Sequence, residues 1–240
     1  MRTAHGTVFD IQSKGSIHNL VTEWDKRIEE TLVTYIRSHY PSHNFLGEEG
    51  GDQRGSADEP LWIIDPIDGT VNFAHGIPIF TVSIGVAVGG KVVSGVVLQP
   101  MTQELFHAEK GKGAYLNGKR IEVSKTSTLE HAMFSVGFPY NVKDHFQTCV
   151  DHLAQFLRLG VPIRRLGSAA LDLSYVAAGR LDGFWEITLQ PWDVAAGLLI
   201  VEEAGGRVTH YDGSPRKLLE NKSLLATNGK LHKQMVEKLK

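Results

Sequence analysis

Between positions 61 and 70 the chain reads Leu-Trp-Ile-Ile-Asp-Pro-Ile-Asp-Gly-Thr. No other stretch constrains the fold as tightly. The apolar run Leu61 to Ile64, closed off by proline and glycine, predicts a short buried strand. Pro66 cannot donate to a sheet ladder and forces the chain to turn. The turn brings Asp68 back beside Asp65 and can aim the Ile67 carbonyl into the same space. Gly69 has no Cβ and permits close backbone approach. A helical turn beginning at Gly69 or Thr70 would point its free N–H groups at whatever the acids hold. Two carboxylates and a carbonyl are hard oxygen ligands that suit Mg²⁺ rather than Zn²⁺, and N–H groups beside them suit a phosphate. Neighbouring ionised acids repel without a cation. The simpler alternative is a capped turn with an acid pair on the surface, and this stretch alone leaves both open.

Two further segments have the same design. "NFLGEEGG" (44–51) places Glu48 and Glu49 after a strand-like run and before glycines. "QPWDVAAG" (190–197) places Asp193 at the start of a helix, where an acid is also favourable simply against the macrodipole. Three acid-bearing element ends favour the metal reading over three unrelated surface acids.

The rest of the chain supplies the frame. Thr22 to His39 repeats Trp24, Ile28, Leu32 and Tyr35/Ile36 on one helical face, and Pro41 stops it. Two β-branched runs around Gly89-Gly90 predict a hairpin, and Asn117-Gly118 marks a second hairpin turn. After about residue 125 the rhythm changes. Strands are predicted over 133–136, 163–166 and 182–186, and helices over 142–159, 169–178 and 193–203. That alternation argues for α/β layering. The chain is expected to form two lobes that share an interface: residues 1–125, helix plus antiparallel sheet with most of the acids, and residues 126–240, α/β with Asp193. The formal net charge of −2 gives no support to nucleic-acid binding. No apolar run is long enough to span a membrane, and the amino terminus lacks an apolar signal-peptide core. The single cysteine, Cys149, excludes an internal disulfide and a cysteine-rich zinc site; it reads as a helix-packing residue in a reduced cytoplasm.

With "GEE", "WIIDPIDGTVNF" and "PWDVAAGLLIVEEAGG" in that order, the chain resembles the inositol monophosphatase family of magnesium-dependent, lithium-sensitive sugar phosphatases. "NLVTEWD" and "GSAALDLSYVAAGRLDGFWE" extend the resemblance over nearly the whole chain. It implies a layered αβαβα fold, about two or three Mg²⁺ ions per chain, a homodimer and a small phosphorylated polyol as substrate. It implies Glu48, Asp65, Asp68, Asp193 and the Ile67 carbonyl as metal ligands. Thr70, hydrogen-bonded towards Asp25, would orient the attacking water, and Glu48 would stand at the metal that activates it. Gly69 and Thr70 would present N–H groups to the phosphate. Glu186 would take a hydroxyl of the alcohol, Ala169 would contact it through its backbone, and Lys14 matches a lysine near the metals. Family members begin with a long helix, whereas only about a dozen residues precede "SKGSIHNLVTEWD" here. That departure touches packing at one edge and oligomer contacts rather than the chemistry.

The implied reaction is in-line hydrolysis of a phosphate monoester. One Mg²⁺ near Glu48 and Thr70 would generate hydroxide, and a second, held by Asp65, Asp68 and Asp193, would stabilise the leaving alkoxide. No histidine acid is required, so His75 and His107 read as surface or packing residues. Haloacid-dehalogenase phosphatases also pair two acids before Gly-Thr, but separate them by one residue where this chain has Pro66 and Ile67. A non-catalytic metal-binding scaffold is the remaining alternative. Family substrates include inositol phosphates, fructose 1,6-bisphosphate, histidinol phosphate, NADP and adenosine bisphosphate, and fold alone does not choose among them. "WEITLQPWD", with Glu186, favours inositol monophosphate. Arg164 and Arg165 stand on the presumed substrate side, where a second phosphate or structural pairing would employ them.

Overall fold

The computed structural model describes residues 1, 5–7, 10–13 and 20–240. Lys14 lies outside the described residues. Strand β1 (Ile11–Ser13) pairs antiparallel with β2 (Leu20–Thr22), which leads into helix α1 (Glu23–His39). Thr22 is the helix cap rather than its first residue. Its hydroxyl accepts from Trp24 N–H at 3.2 Å, and Asp25, three residues on, accepts from the Thr22 backbone N–H at 2.7 Å. This reciprocal capping box satisfies two donors that the first turn would otherwise strand. It also turns Asp25 inward, so the buried face of α1 carries two acids, Asp25 and Glu29.

Next come β3 (Asn44–Gly47), β4 (Gly51–Gln53), β5 (Leu61–Asp68) and the short helix α2 (Thr70–Ala74). A meander follows: β6 (Thr81–Val88), β7 (Lys91–Gln99), β8 (Glu104–Glu109), β9 (Gly113–Leu116) and β10 (Lys119–Ile121). Together these strands form an eight-stranded sheet in the order β10-β9-β8-β7-β6-β5-β3-β4. Only the β3–β5 pair is parallel. The Gly89-Gly90 and Asn117-Gly118 hairpins stand where the sequence predicts them, with positive φ at all four residues.

The second half contributes β11 (Phe134–Val136), α3 (Phe146–Leu157), β12 (Ile163–Arg164), α4 (Ala169–Ala177), β13 (Gly183–Leu189), α5 (Pro191–Glu203), β14 (Arg207–Thr209), β15 (Lys222–Thr227) and α6 (His232–Leu239). Its sheet runs β12-β11-β13-β15-β14, parallel on one side of β13 and antiparallel on the other. The predicted 142–159 helix is divided: Val142–His145 is a 3₁₀ turn, and the α-helix begins at Phe146. Cys149 is buried in it.

The layers stack α–β–α–β–α. Helix α1 covers one face of the large sheet, where Ile36, Phe45 and Ile64 meet. Helices α4 and α5 fill the space between the sheets around Leu171, Leu173, Phe184 and Ile200. Helices α3 and α6 cover the outer face of the small sheet around Phe134, Phe156, Trp185 and Met235. The seat of α5 on the large sheet is unusually close. A Cβ on Gly85 would stand 2.8 Å from Ala195 Cβ, and one on Gly95 would stand 2.9 Å from Ala196 Cα. Glycine in two paired strands thus lets a helix backbone lie directly on the sheet.

Candidate active site

The β5 strand continues through both acids instead of stopping at Ile64. Asp65 pairs with Ser83 and Asp68 with Thr81, so three steps on β5 oppose two on β6. Pro66 and Ile67 form the bulge, because proline has no N–H for the ladder. The bulge buries the Ile67 side chain among Phe73 and Phe80 and leaves both acids near one cleft. Gly69 then adopts φ +97°, and a Cβ there would approach the carbonyl oxygens of Gly167 and Ile79 to 3.1 Å. Only glycine fits this turn comfortably.

A cleft of about 520 Å³ opens here, within the range of small-molecule sites. Glu48, Asp65, Ile67, Asp68, Gly69, Thr70, Ala169, Glu186 and Asp193 all line it. Asp25 is fully buried directly behind Thr70, whose hydroxyl lies 3.2 Å from Asp25 Oδ1 and 2.9 Å from the Ile67 carbonyl. Glu49 does not line the cleft; its backbone N–H donates to Glu29 at 2.9 Å. Glu29 also accepts from Gly50 N–H, so a buried acid of α1 clamps the turn that presents Glu48. His75 is exposed and His107 stacks on Tyr115, both outside the cleft.

Asp68 reaches the amino end of α4, where it accepts from Ser168 Oγ at 2.6 Å and from the N–H groups of Ala169 and Ala170 at 3.2 and 2.7 Å. The Ala169 N–H is thereby directed at Asp68. Asp193 sits in the first turn of α5 and accepts from Gln190 N–H at 2.7 Å. Its capping role and its place in the cleft coexist. Glu186 lies within β13, buried, with its carboxylate in the space that a side chain at Gly137 would need.

Asp65 has no comparable support. It is 1% exposed, and its Oδ1 lacks a hydrogen-bond partner. Burial, and then the charges of Glu48, Asp68, Asp193 and Asp25, hold its carboxyl well above the ordinary aspartate range. Burial likewise raises Asp193, helped by Asp68 and Glu48, and raises Glu186, helped by Asp193 and Asp172. Burial also raises Asp68, against the pull of its hydrogen bonds from Ser168, Ala170 and Ala169. A cation placed among these acids would relieve the burden that each of them carries.

The donor set fits a hard divalent cation: carboxylates and one carbonyl, with no sulfur or imidazole among them. The orphaned Asp65 oxygen gives the same result. As the side chains lie, no three of them form a finished ligand cage among the described residues. Closing one requires rotation of carboxylates such as that of Asp68, now turned to α4.

Sequence reasoning did not find several residues in the cleft or behind it. Tyr140 stands at the rim, half-exposed, where crowding by the cleft and the charges of Glu48, Asp193, Asp68 and Asp65 raise its phenol. Asp172, on α4, lines the cleft 1% exposed with Oδ1 unpartnered. Arg216 donates to the carbonyls of Glu220, Lys222 and Ser223 close enough to Asp193 to act on its charge. These residues reach the site from loops or from helix positions far away in sequence, and no local spacing announces them.

A layered αβαβα framework whose element ends deliver acids to one cleft is here, by the comparisons that follow, that of a phosphoric monoester hydrolase. All 240 residues match the model of the inositol monophosphatase family, and the chain belongs to that family. It is 46% identical over 220 residues to the Nus factor SuhB of Pseudomonas aeruginosa, covering 90% of this chain and 81% of that protein. It is 45% identical over 238 residues to the inositol-1-monophosphatase of Synechocystis, covering 98% and 81%. Among solved structures, the extragenic suppressor protein suhB of Bartonella henselae superposes with a TM-score of 0.91 at 40% identity, over 97% of this chain and 88% of that one.

Proposed function

We propose that this phosphatase is Mg²⁺-dependent and that its substrate is an inositol monophosphate. The observation that carries the metal dependence is Asp65: buried, with one oxygen unpartnered, among Glu48, Asp68, Asp193 and Asp25. Glu48, Asp65, Asp68, Asp193 and the Ile67 carbonyl would hold Mg²⁺, which when bound acidifies water and neutralises charge on the phosphate and the leaving oxygen.

The chain's own groups supply the positioning. Asp25 is fixed by the Thr22 N–H and hydroxyl, at 2.7 and 2.5 Å, so its remaining oxygen faces Thr70. Thr70 donates a hydrogen bond to Asp25 and keeps lone pairs free to accept a hydrogen bond from the attacking water, which orients it. The backbone N–H groups of Gly69 and Thr70 orient the phosphate at the turn. The water oxygen bonds to phosphorus as the bond from phosphorus to the alcohol oxygen breaks; inorganic phosphate is released, and the proton that the water gives up ends on the leaving alcohol. Glu186, on the far wall, accepts a hydrogen bond from a ring hydroxyl. That role, together with the name of the Synechocystis relative, supports inositol 1-phosphate over the other family substrates. The same reading takes the enzyme as a cytoplasmic homodimer, which light scattering on the purified protein and fractionation of cells check.

Phosphate release is measured over inositol 1-phosphate, fructose 1,6-bisphosphate, histidinol phosphate, NADP and adenosine bisphosphate, with Mg²⁺ and with EDTA. Inositol 1-phosphate should be turned over fastest, EDTA should abolish the activity, and lithium should inhibit it. Near-normal turnover by Asp68→Asn, or full activity in EDTA, would sink the assignment.

A further inference from the structure

We propose that Gly137 is a specificity-determining position: the space of its missing side chain seats the Glu186 carboxylate, and so sets where a hydroxyl of the alcohol is read. The inference rests on the phosphatase reading above and deepens it at the same site.

Strands β11 and β13 run parallel and side by side. Phe134, Ser135 and Val136 stand opposite Gly183, Phe184 and Trp185, and the Gly137 N–H extends the ladder by donating to the Trp185 carbonyl at 3.0 Å. Side chains alternate along a strand, so each successive pair changes face. Val136 and Trp185 pack outward among the apolar residues under α3 and α6. The next pair, Gly137 and Glu186, faces the other way, and both line the cleft. A side chain at 137 would therefore share Glu186's side of the sheet.

Neighbouring strands lie about 4.7–4.9 Å apart, room enough for two side chains to stand next to each other. Glu186 instead leans across the bare Cα of Gly137. A Cβ there would overlap Oε2 and would lie 2.5 Å from Cδ and 3.1 Å from Oε1. The glycine is not needed for a turn. Its φ is not positive, so its backbone is open to any residue. Nor can the strand withdraw to make room, because the bond to Trp185 holds it against β13. What gives way is the free end of the Glu186 side chain. Clearing a methyl group moves Oε2 by about 1 Å or more, beyond the window of about 0.5 Å that an O–H···O bond occupies. A single methyl at 137 thus removes the acid from the place where a ring hydroxyl meets it, with the carboxylate itself still in the protein.

The test is a double-mutant cycle on kcat/KM in Mg²⁺, with inositol 1-phosphate and p-nitrophenyl phosphate. Gly137→Ala should lower the ratio of the first to the second by about tenfold to a hundredfold, the loss expected when Glu186 itself is truncated. With Glu186→Ala already in place, Gly137→Ala should change that ratio by less than about twofold. A glycine that merely supports the wall would lower both esters alike, or would add its effect to that of Glu186→Ala; either result, or an unchanged ratio in Gly137→Ala, overturns the proposal. A crystal structure of Gly137→Ala gives a readout that needs no activity. The Glu186 carboxylate should be displaced from its place against β11, with the β11 backbone unmoved; a carboxylate still in its seat refutes the inference. Should the single variant fail to fold, recovery of a folded protein in the double variant sustains the seat, and failure of both refutes it. Should wild type hydrolyse neither ester, the phosphatase reading fails, and the crystal structure alone decides whether Gly137 positions Glu186.

Discussion

Replacing Asp65 by Asn should make the metal-free protein more stable and the Mg²⁺-loaded protein comparatively less so. Asn keeps the size of the side chain and removes one charge. The Asp65 carboxyl is raised above its unfolded value, first by burial and then by four neighbouring acids. A carboxyl shifted in that direction contributes stability that is fully present below the unfolded pKa and is lost as pH rises through the folded one. Near neutral pH, without metal, the fold therefore opposes a charge that the unfolded chain carries freely. Asn keeps a buried acceptor, so the gain comes from the charge alone, whose burial without a partner costs about 1–3 kcal/mol beyond that of a neutral group. For a chain of this length each kcal/mol moves Tm by about 2–4 °C. In EDTA, Asp65→Asn should thus melt about 2–12 °C above wild type. Saturating Mg²⁺ reverses the order. At a hundred times its Kd a ligand contributes about 2.7 kcal/mol to the native state, and the variant has lost a ligand oxygen. Differential scanning fluorimetry in EDTA and in a Mg²⁺ series reads both effects. Wild type melting above the variant in EDTA, or equal Mg²⁺ shifts in both proteins, would refute the argument.

Thr70→Ala should cost about a hundredfold or more in kcat with KM little changed, and it should retain the Mg²⁺-dependent rise in Tm; a raised KM at constant kcat would make Thr70 a binding residue only. Glu186→Ala should lose about tenfold to a hundredfold more on inositol 1-phosphate than on p-nitrophenyl phosphate, which has no ring hydroxyl to offer. Gly95→Ala puts a methyl group 2.9 Å from the Ala196 backbone and should destabilise the fold by about 1–3 kcal/mol in urea titrations. His232 bridges the Thr209 and Thr227 hydroxyls at 2.9 Å each, and burial, followed by Arg207, lowers it to about 4. Its contribution is fully present above the ordinary histidine range and is lost as pH falls from about 6.5 to about 4; the advantage of wild type over His232→Asn in urea midpoints should shrink across that window.

What the sequence made legible follows from how local each signal is. Asp65, Asp68 and Gly69 were readable because proline and glycine dictate a bulge and a left-handed turn within five residues. Asp193 was readable because proline and an acid open a helix in a recognisable way. Glu29 was not, because a glutamate on an amphipathic helix reads as solvent-facing until the Glu48 turn is folded onto it. Arg165, which lines the cleft, and Arg164, which does not, are indistinguishable in sequence; a two-residue strand and a glycine turn separate their directions. The end of the chain escaped for a related reason. Arg207–Thr209 is too short to show a strand period, and "KSLLAT" contains helix-forming residues that only pairing with β13 and β14 makes into a strand.

The direct seating of α5 on Gly85 and Gly95 sets the gauge of the whole cleft. Asp193 rides on the helix, and Asp65 and Asp68 ride on the neighbouring strand, so their separation is fixed by backbone lying on backbone. Soft side chains at that junction would let the jaws widen for a larger cation. Bare backbone does not, and only rotation of the carboxylates themselves remains to adjust the fit. On the proposed chemistry, two glycines that line no part of the cleft would limit how far it can open for a cation larger than Mg²⁺.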